Sequence, residues 1–261
     1  LHPRVRRQRQ MCIRDRITHG AIRPDFIRLR RIKRKVECFE MLQMYFWRQY
    51  LREFLYTIPA ILIAITAHEF AHGFVSSRLG DPTPRRDGRL TLNPLAHLDP
   101  WGTISLLLFR MGWAKPVRIN TAYYRNKKAG IIMVSLAGPC MNYLIGFLGL
   151  LIYGICFQND SSLGTWFYYL AVVNIGLGTF NLIPLPPLDG SNVLQELFPG
   201  VKRFYFSFRR YAAPLLFLLL LTGILRVPLN WINNQILNGM WRSVVRILHI
   251  VIVPSGGGVV V

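Results

Sequence analysis

Residues 68–72 read His68-Glu69-Phe70-Ala71-His72, and the types and spacing of these side chains can do chemistry. In a helix, positions i and i+4 share one face, so His68 and His72 can offer two imidazoles to one metal ion. Glu69, beside the first histidine, can take a proton from a water at that metal. The motif follows Phe54 to Ala67, a run without a single charge. Polar and ionisable groups in hydrocarbon are costly, about 2.5 kcal/mol or more for a charged one, and so mark functional sites.

Two histidines supply two ligands. A catalytic zinc site needs a third protein ligand, with a water in the fourth position. The acidic residues after position 76 are Asp81, Asp87, Asp99, Asp160, Asp189 and Glu196. Asp189 stands out among them. It ends the string Asn181-Leu-Ile-Pro184-Leu-Pro186-Pro187-Leu-Asp189-Gly190, directly after the apolar run Trp166 to Phe180. Three prolines cannot continue a regular helix. An opened backbone at membrane depth is tolerated only beside protein or a water-filled cavity. The bland reading of Asp189, a turn residue at a helix end, stays open on these grounds alone.

The two motifs in this order resemble the site-2 protease family of intramembrane zinc metalloproteases. Ser135-Leu-Ala-Gly138-Pro139-Cys-Met-Asn142, at the head of another apolar segment, resembles that family's middle core helix. The resemblance covers roughly residues 53 to 225. It implies that His68, His72 and Asp189 hold Zn2+ and that Glu69 activates water. It also implies that Asn181 holds the substrate strand or the oxyanion and that Asn142 supports the site. His97, in Asn93-Pro94-Leu-Ala-His97-Leu-Asp99-Pro100, is a further candidate that could reach the metal from a neighbouring segment. The connections among the core spans are too short for an inserted PDZ domain, so the compact form is expected.

The elements that must position these groups are apolar runs. The chain is 52% hydrophobic over 261 residues, with a mean hydropathy of +0.29. Uncharged runs of about twenty residues make it an all-α membrane protein of multiple spans. About four to five spans are expected, with a small re-entrant or β element. Span one runs from about Phe54 to Val75, with Gly80 and Pro82 ending it. His68 then lies ~21 Å from Phe54, near the end of the span. Trp101 to Trp113 is short for a crossing and carries Arg110, which suits a re-entrant or interfacial segment, with a crossing the alternative. Arg89–Leu92 and Val117–Asn120 read as short strands. Edge-strand pairing there would hold a substrate backbone unwound. Span two covers about Ala129 to Phe157, where glycines permit close packing. Span three covers Thr165 to Pro184, and span four about Tyr211 to Leu225. Trp241 to Val253 reads as an amphipathic surface segment.

Charge gives orientation. Residues 78–128 carry ten Lys/Arg, whereas Gln158 to Gly164 has one Asp and no basic residue. The basic connection is therefore cytoplasmic. That places His68, His72 and Asp189 at one face of a multi-pass cell-membrane protein.

The net charge is +20, and residues 1–52 hold 15 Lys/Arg against 4 Asp/Glu. This basic arm precedes the core at 53–230 and is expected to be disordered or spurious, with a natural start at Met41 or Met44. Residues 231–261 form the C-terminal segment and tail. No signal peptide is expected. A basic arm can bind anionic lipid or nucleic acid, but no nucleic-acid fold signature accompanies it and no such partner is expected. Four cysteines without a C-x-x-C pair do not suggest a disulfide framework or a thiolate zinc site. The expected partners are the bilayer and a membrane protein or peptide substrate. The rival reading is a metal-binding membrane protein, such as a transporter or inactive homologue, that does not use Glu69.

Overall fold

The computed structural model describes residues 24–109, 114–156 and 162–248. The chain divides into a first unit ending at Phe54 and a second from Leu55 onward. The first unit contributes the start of helix α1 (Pro24–Arg78), which begins well inside the basic arm that the sequence left without regular structure. Tyr45, Phe46, Trp47 and Tyr50 of this unit are exposed.

In the second unit α1 continues to Arg78. Short helices α2 (Thr83–Arg86), α3 (Pro94–His97) and α4 (Pro100–Phe109) follow. A strap then runs from residue 114 to a 3-10 turn at Thr121–Tyr123. It leads to α5 (Lys127–Cys156), α6 (Ser162–Asn181), α7 (Asp189–Leu197), α8 (Pro199–Leu221) and α9 (Arg226–Leu248). The protein is an all-α membrane protein. Gln43–Arg78, Lys127–Cys156 and Ser162–Asn181 are each long and apolar enough to cross a membrane. A fourth crossing is counted if the two arms of α8, inclined by 81°, form one span.

Close packing of α5 follows from its sequence. Gly130, Val134, Gly138, Asn142 and Gly146 recur every fourth residue and are all buried. That spacing is one ridge of the helix. Small residues let backbones approach where lipid offers no hydrophobic drive between helices. Gly146 and Gly149 lie against Ala171 and Ile175 of α6. Leu150, Ala171, Ile175 and Val244 form the core, with Leu237, Met240 and Trp241 of α9 packed around them. The C-terminal segment expected at the surface thus turns its apolar face onto α5 and α6.

Among the described residues no strand ladder forms. The only pairing of that kind is an isolated bridge between Leu98 and Ala114. Arg89–Leu92 and Val117–Asn120 are not helical, but their neighbours are not strands. The Val117 N–H donates to Glu69 and the Asn120 N–H to Asp81, so side chains take the place of a ladder.

Candidate metal centre

The last third of α1 carries the H-E-x-x-H motif, and the helix turns both histidines to the same face. Both rings are buried. They stack edge to face, with centroids 4.6 Å apart. The Nδ1 of His72 donates to the Val134 carbonyl of α5 at 2.7 Å. The Nδ1 of His68 donates to Asn142 Oδ1 at 2.6 Å. With Nδ1 committed as the donor, the neutral form of each ring presents a bare Nε2.

Those two bare nitrogens lie 3.0 Å apart. Asp189 Oδ2 lies 3.1 Å from one and 3.2 Å from the other. That carboxylate oxygen is buried and accepts no hydrogen bond. Three lone-pair atoms facing one another repel unless a cation sits among them. Zinc bonds of about 2.0–2.1 Å in tetrahedral geometry set ligand atoms roughly 3.3 Å apart, close to the triangle observed. The donor set therefore fits zinc. Among the described residues, His68, His72 and Asp189 are the one group of acidic, histidine or cysteine side chains so convergent.

Asp189 reaches the histidines because the proline string carries the chain off the end of α6 and back. Leu188 turns the backbone, and Asp189 opens α7. Gly190 is required by crowding: a Cβ there would stand 2.2 Å from the Leu182 carbonyl oxygen. The positive end of α7 also favours the Asp189 carboxylate.

Glu69 points from the same turn of α1 to the strap, where its Oε2 accepts the Val117 N–H at 3.0 Å. The other oxygen remains available for a water. Asn181 ends α6, and its side-chain NH2 donates to the Leu177 carbonyl. His97 is not brought to the trio. Its Nε2 donates to the Thr91 carbonyl at 2.9 Å, and its Nδ1 is buried without a partner.

Three contributors were not read from the sequence: the Val134 carbonyl, the Val117 N–H and Asn174. Backbone groups leave no signal in side-chain types. Asn174 did leave one, as an amide inside an apolar run, seven residues before Asn181.

With this geometry in view, the likeness to known proteins can be weighed. Residues 157–223 match the sequence profile of Peptidase family M50. The chain is 38% identical over 156 residues to "Putative zinc metalloprotease YwhC" of Bacillus subtilis, covering 56% of this chain and 71% of that one. The chain belongs to peptidase family M50, the site-2 proteases. Rip2 of Mycolicibacterium smegmatis, which carries the same zinc metalloprotease designation, is 29% identical to this M50 chain over 187 residues. That match covers 67% of this chain and 70% of Rip2. A zinc metalloprotease of Methanocaldococcus jannaschii is 36% identical over 70 residues, 27% of this chain and 20% of that protein. No solved structure is significantly similar to the chain. As an M50 member the protein is a metalloprotease whose metal is zinc, and its apolar helices make it a membrane protein.

Proposed function

We propose that this protein hydrolyses peptide bonds of membrane-embedded substrates, with Glu69 as the base that activates water. The observation that carries the reading is the convergence of His68 Nε2, His72 Nε2 and Asp189 Oδ2 within 3.0–3.2 Å of one another beside Glu69. Those three atoms would hold zinc. When bound, zinc supplies the Lewis acidity that polarises a scissile carbonyl and lowers the pKa of a water.

The rest of the work falls to the chain. The Val117 N–H fixes one oxygen of Glu69, which leaves the other to accept the proton of the attacking water. Glu69 then returns that proton to the leaving amine. Asn181, at the mouth of the proline string, is proposed to hold the substrate backbone, and Asn142 holds His68. Basic connections beside the metal end of the spans support a site facing the cytoplasm, from which water enters.

Glu69→Gln tests the reading. The amide keeps the size of the side chain but cannot take the proton. Cleavage of a membrane-embedded substrate in detergent should fall by at least about a thousandfold, of the order that general-base loss costs. Zinc content should stay at the wild-type level. A product that persists in Glu69→Gln rejects Glu69 as the base. Wild-type protein that binds zinc and cleaves no peptide supports the rival, a metal-binding membrane protein.

A further inference from the structure

Asn174 lies in the middle of α6, fully buried. Its Nδ2 donates to the Leu170 carbonyl at 2.8 Å. Its Oδ1 accepts from Asn142 Nδ2 of α5 at 2.9 Å. The same Asn142 nitrogen donates to the Ala64 carbonyl of α1 at 3.0 Å, and Asn142 Oδ1 meets His68 Nδ1 at 2.6 Å. Three membrane helices are therefore joined by one row of hydrogen bonds that ends on a metal-facing histidine.

The polarity of that row is dictated by its ends. A backbone carbonyl only accepts. The Leu170 carbonyl therefore takes the NH2 end of Asn174 and turns its oxygen toward α5. That oxygen and the Ala64 carbonyl both call for the NH2 end of Asn142. Asn142 must then turn its own oxygen to His68. An amide oxygen also only accepts, so His68 carries its proton on Nδ1 and leaves Nε2 bare.

We propose that Asn174 is a positioning residue of the metal centre: through Asn142 it selects the metal-binding tautomer of His68. The inference rests on the proposed metal site. A half-turn of the Asn142 amide would present NH2 to His68 Nδ1. The imidazole proton would then move to Nε2, the atom that must face the metal. The Ala64 carbonyl alone opposes that half-turn, and Asn174 adds the second acceptor. His72 needs no such device, because its Nδ1 meets the backbone carbonyl of Val134, which cannot flip. One histidine is thus set by backbone, and the other by an amide that a second amide orients.

A different role for Asn174 would be simple adhesion between α5 and α6, since buried amides join membrane helices. The two roles part on the readout: both use the Asn174 oxygen, but adhesion moves the stability of the metal-free protein and the relay moves its zinc affinity. Asn174→Asp keeps an acceptor oxygen toward Asn142 and loses the NH2. Asn174→Ala and Asn174→Leu lose both. Zinc affinity of the purified protein in detergent, measured by competition with a chelator, should be about tenfold weaker in Asn174→Ala and Asn174→Leu. In Asn174→Asp it should match or exceed the wild type. Thermal unfolding of the metal-free proteins reports adhesion separately. Asn174→Ala, the smaller change in packing, carries the result should the leucine variant not fold. Wild-type affinity in folded Asn174→Ala overturns the relay. So does a loss in Asn174→Asp as large as that in Asn174→Ala, which would make the NH2 group the cause. A wild type that binds no zinc at all overturns the metal site and the relay together, and is distinguished by that first measurement.

Discussion

Gly138 shows how much of a metal centre can depend on an absent side chain. The sequence presents it as one of several glycines that let α5 pack closely. A Cβ at this position would stand 2.5 Å from both His68 Cε1 and His72 Nε2, and 2.7 Å from His68 Nδ1. The rings cannot simply move aside, because Asn142 and the Val134 carbonyl hold their far nitrogens. Gly138→Ala should leave the fold in place, at a cost of about 1–3 kcal/mol for overpacking. It should lower zinc affinity by at least about a hundredfold, since both rings lose their geometry. Gly146→Ala is the control. Its Cβ would meet Ile175 Cγ1 at 2.9 Å, a core contact that touches neither metal-facing ring, so stability should fall while zinc affinity holds. Metal analysis of both variants decides it. Equal zinc in Gly138→Ala and wild type means that the histidines do not rest on this glycine. At this scale side-chain types and spacing offered His68, Glu69 and His72 as candidates, and the family resemblance singled out Asp189. The sequence could not reveal Gly138 as a neighbour of both rings or Asn174 as a partner of Asn142, because that depends on the register between helices.

Between α1 and α5 the strap stands where two short strands were expected, and side chains rather than a ladder hold it. Gly80, at φ 101°, turns the chain off α1 and presents Asp81 beneath the strap. Asp81 is buried and accepts from Ser76 Oγ at 2.8 Å, the Thr83 N–H at 2.9 Å and the Asn120 N–H at 2.8 Å. Tyr124 OH joins the same group through Ser76 at 2.7 Å. Holding Asn120 also holds Val117, three residues before it, and Val117 grips Glu69. The helices were legible from apolar runs, and their ends from glycine and proline. The strap was not, because its partners are carboxylates 39 and 48 residues away in sequence. Burial pushes the Asp81 carboxyl up, but the Asn120, Thr83 and Ser76 donors outweigh it and hold it below the ordinary value. A depressed folded-state pKa stabilises the protein above the unfolded value, about 3.9, and the contribution fades as pH falls through the lower folded value. Asp81→Ala should therefore cost about 3 kcal/mol or more at pH 7, since it orphans donors that served a charged acceptor. Its stability should then decline less steeply than the wild type below about pH 4. Thermal unfolding from pH 7 to pH 3 measures both. An acid decline equally steep in Asp81→Ala and wild type would show that other carboxylates carry it.

For the whole molecule, the decisive question is which face of the membrane the metal centre looks to. His68 and His72 come from the C-terminal part of α1, Val134 and Gly138 from the first half of α5 and Asn142 from its middle, and Asp189 from just beyond the end of α6. Three successive spans of alternating direction bring exactly those parts to one end, so the helices and the site agree on a single topology. The connection from α1 to α5 lies at that end and is rich in Lys and Arg, Arg85, Arg86, Arg118, Lys127 and Lys128 among them. The end of α5 and the start of α6 lie at the other end, and the sequence between them has no basic residue. Basic connections stay in the cytoplasm. The span count ranges with α8 from three to four, but this argument uses only α1, α5 and α6. It predicts the labelling of two exposed positions, Arg118 in the strap and Ser162 at the start of α6, in a background with the four native cysteines replaced by serine. In intact cells, a membrane-impermeant maleimide should label Ser162→Cys and spare Arg118→Cys. In inverted vesicles the order should reverse. Labelling of both positions from one side would mean that α5 does not cross. Labelling of Arg118→Cys in intact cells alone would turn the metal centre to the outside, and the water that Glu69 uses would then come from there.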